Sequence, residues 1–282
     1  MMMTMPAMAA DALGRHLAED FRRLFGSTHE DKAERLDGAA RIALECLSKS
    51  DALYHNVEHT YLVTLVGRDI LHGRILTERL EPDDYTHLIV ACLVHDIGYV
   101  RGILKGDGNG RFVVDASGRT VALERGASDA ALAPYHVDRS KLFIQERLGL
   151  SPLIDTERVS QAIEFTRFPT GQPCENLPEN REGNLVQAAD LIGQLGDPLY
   201  LKKANALFYE FGEIGLNAQR GYASPADLVE RYPDFYWTSV SPHLKEAIAY
   251  LNVTAEGRQW IANLYCHVFC AEHDLALMGP QR

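Results

Sequence analysis

Between Leu88 and Val94 every residue is apolar, and the next two are His95 and Asp96. A run that uniform belongs inside a protein, on a segment covered from all sides. An imidazole and a carboxylate carried into such surroundings without partners cost several kcal/mol each. Whatever this chain folds into must therefore bring partners to that point. A second apolar stretch, Val186-Gln187-Ala188-Ala189-Asp190-Leu191-Ile192, holds one carboxylate and makes the same demand. A third polar signature is Tyr54-His55-Asn56-Val57-Glu58-His59-Thr60. His55 and His59 are four apart, so on a helix they share a face. Two imidazoles and two carboxylates from three helices, gathered on one divalent ion, satisfy all three segments at once. The mixed nitrogen and oxygen set suits Mg, Mn, Fe, Co, Ni or Zn and does not favour calcium. The absence of thiolate ligands argues against a structural zinc site. Four ligands leave positions open for water, as catalysis requires.

Helical periodicity covers most of the chain, over 8–25, 31–50, 54–77, 82–98, 138–149, 155–166, 183–196, 198–216, 224–231, 239–251 and 254–273. Pro82-Asp83-Asp84 opens one helix, Asp138 reads as an N-cap, and Thr254 opens the last. The expectation is an all-α fold with one small β-hairpin inserted near 105–131. Its strands are Arg111–Val114 and Thr120–Leu123, about a turn at Ala116-Ser117-Gly118. That hairpin reads equally as a lid over the site or as a surface excursion. Pro169–Gly183 reads as an exposed loop. One domain over 1–282 is the simplest account, with a core at about 50–215 and terminal helices packed on it.

The net charge of −11 repels phosphate backbones, so duplex nucleic acid and anionic membrane are poor partners, while a metal would still admit a small anion. Five cysteines without a CxxC pair read as reduced thiols, several of them buried, in a cytoplasmic protein. The start, MMMTMPAMAADALGRHLAEDF, lacks a basic leader and reads as the entry to a helix, and no apolar run reaches membrane-spanning length. A homodimer is among the admissible assemblies.

His59, then His95-Asp96, then Asp190 resembles the H…HD…D order of the HD-domain superfamily of metal-dependent phosphohydrolases. YHNVEHT resembles the HNxxH segment of its cyclic-nucleotide phosphodiesterase branch. LVHDIGY and AADLIGQL resemble the second and third signatures, and GDPLYLKKANALFYEF resembles bacterial HD phosphohydrolases. The likeness spans about residues 50–215. It implies an HD-type helical bundle with His59, His95, Asp96 and Asp190 as metal ligands and Asp96 able to bridge to a second ion. It also implies that His55 protonates the leaving oxygen, with Tyr54 and Asn56 supporting that turn. The branches with two metals, and the di-iron oxygenase branch, usually carry two histidines between the HD pair and the last aspartate. This chain has one, His136, and Thr166 stands where the second would be sought. One ion is expected firmly, with His136 as a ligand or water contact for a second.

The expected activity is hydrolysis of a small phosphorylated substrate, a nucleotide or cyclic phosphodiester first in line, by a metal-activated water with His55 as general acid and Asp96 at the reacting centre. Arg139, Lys141 and Arg167 are candidate phosphate contacts. The alternatives are an HD-fold di-iron oxygenase and a metal-holding regulatory module without turnover. Phe208, Tyr209, Phe211, Phe235, Tyr236 and Trp237 read as core rather than as a base-stacking pocket.

Overall fold

Helix α4 (Pro82–Val94) is the centre of the molecule. Glu81 and Asp84 form a capping box at its start, Pro82 fills its first turn, and every residue from Tyr85 to Val94 is buried. A helix apolar on all faces has to be wrapped. Here α2 (Glu30–Leu47), α3 (Val57–Thr77), α6 (Thr156–Glu164) and α7 (Arg181–Leu195) pack on it, while α1 (Met5–Phe25) closes over α2. The computed structural model describes residues 4–149, 151–167, 180–273, 275 and 279–280. The loop expected at Pro169–Gly183 lies outside them as far as residue 179, and Cys174 lies outside them too.

After α4 the chain makes a 3₁₀ turn at Ile97–Tyr99, then the hairpin, then α5 (His136–Leu148). Strands β1 (Arg111–Val113) and β2 (Thr120–Ala122) pair antiparallel, with Phe112 opposite Val121. Beyond α7 come α8 (Tyr200–Glu213), α9 (Leu216–Arg220), α10 (Pro225–Glu230), α11 (Tyr232–Phe235) running into a π turn, α12 (Lys245–Leu251) and α13 (Ala255–Glu272). The architecture is all-α with one small hairpin. Buried side chains from helices between α1 and α13 form the main core, and Tyr54, Ala204, Leu207 and Leu228 form a second, small cluster. Among the described residues no helix is long and apolar enough to cross a membrane.

Two glycines set the spacing of the helices that carry the polar cluster. A Cβ on Gly193 would stand 2.8 Å from the Val63 Cα, so α3 and α7 touch backbone to backbone there. A Cβ on Gly98 would stand 1.9 Å from the His136 carbonyl oxygen, so the turn after α4 lies directly against the first turn of α5.

Local boundaries differ from expectation in three informative places. Helix α3 starts at Val57 with Asn56 as its N-cap, which accepts from the Glu58 and His59 amides at 2.9 and 3.4 Å. His55 therefore precedes the helix, and the shared-face argument for His55 and His59 does not hold. Helix α4 ends at Val94, so Asp96 leaves it on a turn. Helix α5 begins at His136, which puts Asp138 in the first turn and not at the N-cap.

Candidate metal centre

His59 from the first turn of α3, His95 and Asp96 from the turn that follows α4, and Asp190 from α7 come together beneath a cavity of about 260 Å³. The Asp96 Oδ2 lies 3.3 Å from His59 Nε2 and 3.2 Å from His95 Nε2. The Asp190 Oδ1 lies 3.2 and 3.5 Å from the same two nitrogens. Ligand atoms about 2.1 Å from a common ion stand about 3.0 Å apart at right angles and about 3.4 Å apart at the tetrahedral angle. Three of the four separations fall in that range, and the 3.5 Å one lies just above it.

Hydrogen bonding does not account for the cluster. His59 Nε2, His95 Nε2 and Asp96 Oδ2 are buried and have no hydrogen-bond partner among the described residues. Leaving three such atoms unsatisfied costs about 1–3 kcal/mol each. These three ligand atoms lie within 4.8 Å of one another and form a group fit for a metal ion, with Asp190 reaching both imidazoles. His95 donates from Nδ1 to the Cys92 carbonyl at 2.9 Å, which leaves the Nε2 lone pair facing the cluster. The residues present thus fit a divalent transition metal or Mg. Burial opposes charge on His95, yet Asp96 and Asp190 outweigh it and push its pKa well up. Burial likewise opposes charge on Asp96 and Asp190, and the neighbouring histidines hold both well below the usual carboxylate range. The carboxylates line the cavity while His59 and His95 stand behind them, so a ligand would meet the acidic side of the site.

The other oxygen of Asp96 faces His136. His136 Nδ1 donates to the Ala133 carbonyl at 2.6 Å, so its Nε2 lone pair points at Asp96 Oδ1 from 3.6 Å. Two nucleophilic atoms facing each other at that distance are a donor pair for a cation. Burial pushes the His136 pKa down, against the pull of Asp96.

His55 is held by a residue the sequence did not disclose. Glu210, buried on α8, accepts from the Tyr54 amide at 2.6 Å, the His55 amide at 3.2 Å and His55 Nδ1 at 2.5 Å. The His55 ring also stacks on Tyr99 at 4.7 Å with 8° between planes, and Tyr99 stacks in turn on His136 at 4.7 Å. Burial alone would lower the His55 pKa, but Glu210, and then Asp96 and Asp190, push it up to about 9. A clue to Glu210 was present: it continues the buried stripe Tyr200, Leu201, Ala204, Leu207 of α8, where a carboxylate is out of place.

The basic residues fall out differently from expectation. Arg139 is fully buried, and each of its five N–H groups is used. Nε donates to the Gly98 carbonyl at 2.6 Å, Nη2 to the Val100 carbonyl at 2.8 Å and Asp107 Oδ2 at 3.0 Å, and Nη1 to Asp107 Oδ1 and the Val113 carbonyl. Nothing remains for a phosphate. Arg139 instead pins the hairpin to the turn that follows His95-Asp96. Ser140 completes this knot, accepting from the Gly98 amide at 2.9 Å and donating to the His95 carbonyl at 2.7 Å. Lys141 pairs with Glu164 and does not line the cavity. Arg167 does line it, bound to Asp138 at 2.8 Å and to Glu164.

No residue of 105–131 lines the cavity, so the hairpin is an anchored excursion and not a lid. Phe211 and Phe235 pack against the core as expected and also line the cavity, along with Tyr200, Tyr222 and Tyr232, whereas Tyr209 and Trp237, read as core, are exposed. Arg220 and Arg231, which no motif in the sequence marks, lie in the same wall. Among the described cysteines only Cys92 is buried, and Cys266 is exposed.

The family model described as Npun_R2479-like matches residues 4–274. No curated protein and no solved structure matches the chain.

Proposed function

This chain belongs to the Npun_R2479-like family, and we propose that it hydrolyses small phosphoesters with a divalent metal ion. One observation carries the reading: three buried, unpartnered ligand atoms on His59, His95 and Asp96 converge at metal-ligand spacing, with Asp190 beside them and a cavity in front. The resemblance of the same four residues to the HD-domain superfamily supports it.

His59, His95, Asp96 and Asp190 would hold the ion, and His136 with the second Asp96 oxygen would hold another. Bound there, such an ion lowers the pKa of water towards about 7 and neutralises charge on a phosphoryl group. The chain's own residues supply the rest. Glu210 fixes His55 Nδ1–H, so the proton available for donation is the one on Nε2. Glu210 also favours the imidazolium, which keeps that proton in place at neutral pH. Tyr99 holds the ring flat by stacking. His55 lines the cavity beside Asp96 and Asp190, so its proton is at hand for a leaving oxygen. The aromatic wall excludes water from the organic part of the substrate and orients it.

The test is a hydrolysis screen of chelated protein and of protein reloaded with Mn, Ni or Co. Substrates are bis(4-nitrophenyl) phosphate, cyclic nucleotides and nucleoside phosphates. Metal-dependent turnover of at least one ester is expected. Loss of no activity on chelation, or no turnover with any ester, removes the proposal.

A further inference from the structure

The cavity continues past the cluster to a wall built from α8 to α11. Phe211, Tyr222, Tyr232 and Phe235 give it aromatic surface, and Arg220 and Arg231 give it two cations. The hydrogen bonds of Arg231 go to neutral groups, and Asp227 is close enough to attract its charge. Its Nη1 donates to the Arg220 carbonyl at 2.8 Å and its Nη2 to the Gly221 carbonyl at 3.1 Å, and its guanidinium carbon lies 5.2 Å from the centre of the Tyr222 ring. Such contacts set the direction of a guanidinium without cancelling its charge. Among the described residues neither Arg220 nor Arg231 forms an ion pair, in a chain with 39 acidic residues against 28 basic ones. Arg167, the third arginine of the cavity, is by contrast bound to Asp138 and Glu164. Of the acids of the cavity, Glu210 is bound to His55, and Asp96 and Asp190 belong to the metal cluster.

We propose that the substrate is bis-anionic: a phosphoester bound at the cluster, joined through an apolar or aromatic spacer to a second anionic group held by Arg220 and Arg231. The inference rests on the reading of the cluster as a phosphoester-cleaving centre. Carboxylate and phosphate share the chemistry the two arginines recognise, so the probes must separate them.

Binding is measured calorimetrically on the full, metal-loaded chain with three phosphonates that are not hydrolysed. Benzylphosphonate has no distal charge, 4-(phosphonomethyl)benzoate adds a carboxylate, and p-xylylenediphosphonate adds a second phosphonate. At least one bis-anionic probe should bind about tenfold or more tightly than benzylphosphonate, the gain expected of a charge-assisted hydrogen bond. The larger gain identifies the distal group. The advantage should fall below about twofold in Arg220→Gln/Arg231→Gln and shrink in Arg220→Gln alone. The single variant alters an exposed side chain and keeps the test decisive if the double variant misfolds. Equal binding of all three probes to the wild type, no binding of any, or an advantage that survives both variants overturns the proposal. An arginine-dependent advantage without hydrolysis of any ester would instead remove the phosphohydrolase reading and leave a bis-anionic ligand site.

Discussion

Replacing Glu210 by Gln separates what holds His55 from what holds the metal. Glu210 Oε1 accepts two backbone amides, from Tyr54 and His55, and a glutamine carbonyl can keep both. The glutamine NH₂ then faces His55 Nδ1 where Oε2 accepted a proton before. Two donors cannot share that contact, so the imidazole turns to its other tautomer or swings away. Losing a hydrogen bond to a charged group costs about 1.5–3 kcal/mol. In a chain of this size that corresponds to a melting temperature roughly 3–6 °C lower. The His55 pKa falls from about 9 towards its ordinary value once the carboxylate is gone, and at neutral pH less of the imidazolium is present. Losing a positioned general acid lowers turnover by about 10²–10⁴-fold. The size of the loss should depend on the leaving group, because 4-nitrophenolate departs without a proton and an alkoxide does not. Steady-state rates on a 4-nitrophenyl ester and an alkyl phosphoester, in wild type and Glu210→Gln, read this directly. A loss at least tenfold greater on the alkyl ester, with metal content unchanged, is the expected result. Equal losses on both esters, or none on either, would refute the assignment of His55 as proton donor.

Two further outcomes follow from side chains away from the chemistry. Arg139→Lys cannot serve three carbonyls and Asp107 with three donors, so urea unfolding should register a loss of about 3 kcal/mol; a loss under about 0.5 kcal/mol would mean the knot is dispensable. Burial would raise the pKa of Asp20, but its hydrogen bonds from His72 and Tyr85, at 2.7 Å each, hold it at about 2. A depressed carboxyl stabilises the fold above its unfolded value and ceases to do so as pH falls through the folded one. Between about pH 4 and pH 2 the chain should therefore lose about 1–2 kcal/mol through this group, and Asp20→Asn should flatten that limb of the stability curve.

The sequence disclosed the centre of the site better than its surroundings. His95, Asp96 and Asp190 were legible because polar groups in apolar runs demand partners wherever the chain goes. His59 and His55 were legible as a pair, although the reason given, a common helix face, fails once Asn56 caps α3. Glu210 was hidden because a glutamate on a half-exposed helix looks solvated until the stripe it continues is seen to be buried. Arg139 was misread for the converse reason. Nothing local tells that an arginine four residues into a helix faces a reversing turn and satisfies three carbonyls. Arg220 and Arg231 reach the cavity through the packing of α9 and α10, short helices whose placement depends on α8 and α13 and leaves no periodic signal. The hairpin strands were legible from β-prone runs around Ser117-Gly118, but their distance from the cavity was not, since long-range contacts such as Arg139 with Asp107 and the Val113 carbonyl fix where they dock.

The central claim is that His59, His95, Asp96 and Asp190 share a cation, and elemental analysis of the purified chain tests it most directly. The account predicts about one firmly held transition metal or Mg ion per chain after dialysis, a lower melting temperature after chelation, and loss of both the ion and that chelator sensitivity in Asp96→Ala. A wild-type chain that stays metal-free after incubation with Mn, Fe, Co, Ni, Zn and Mg, and melts identically with and without chelator, would contradict it.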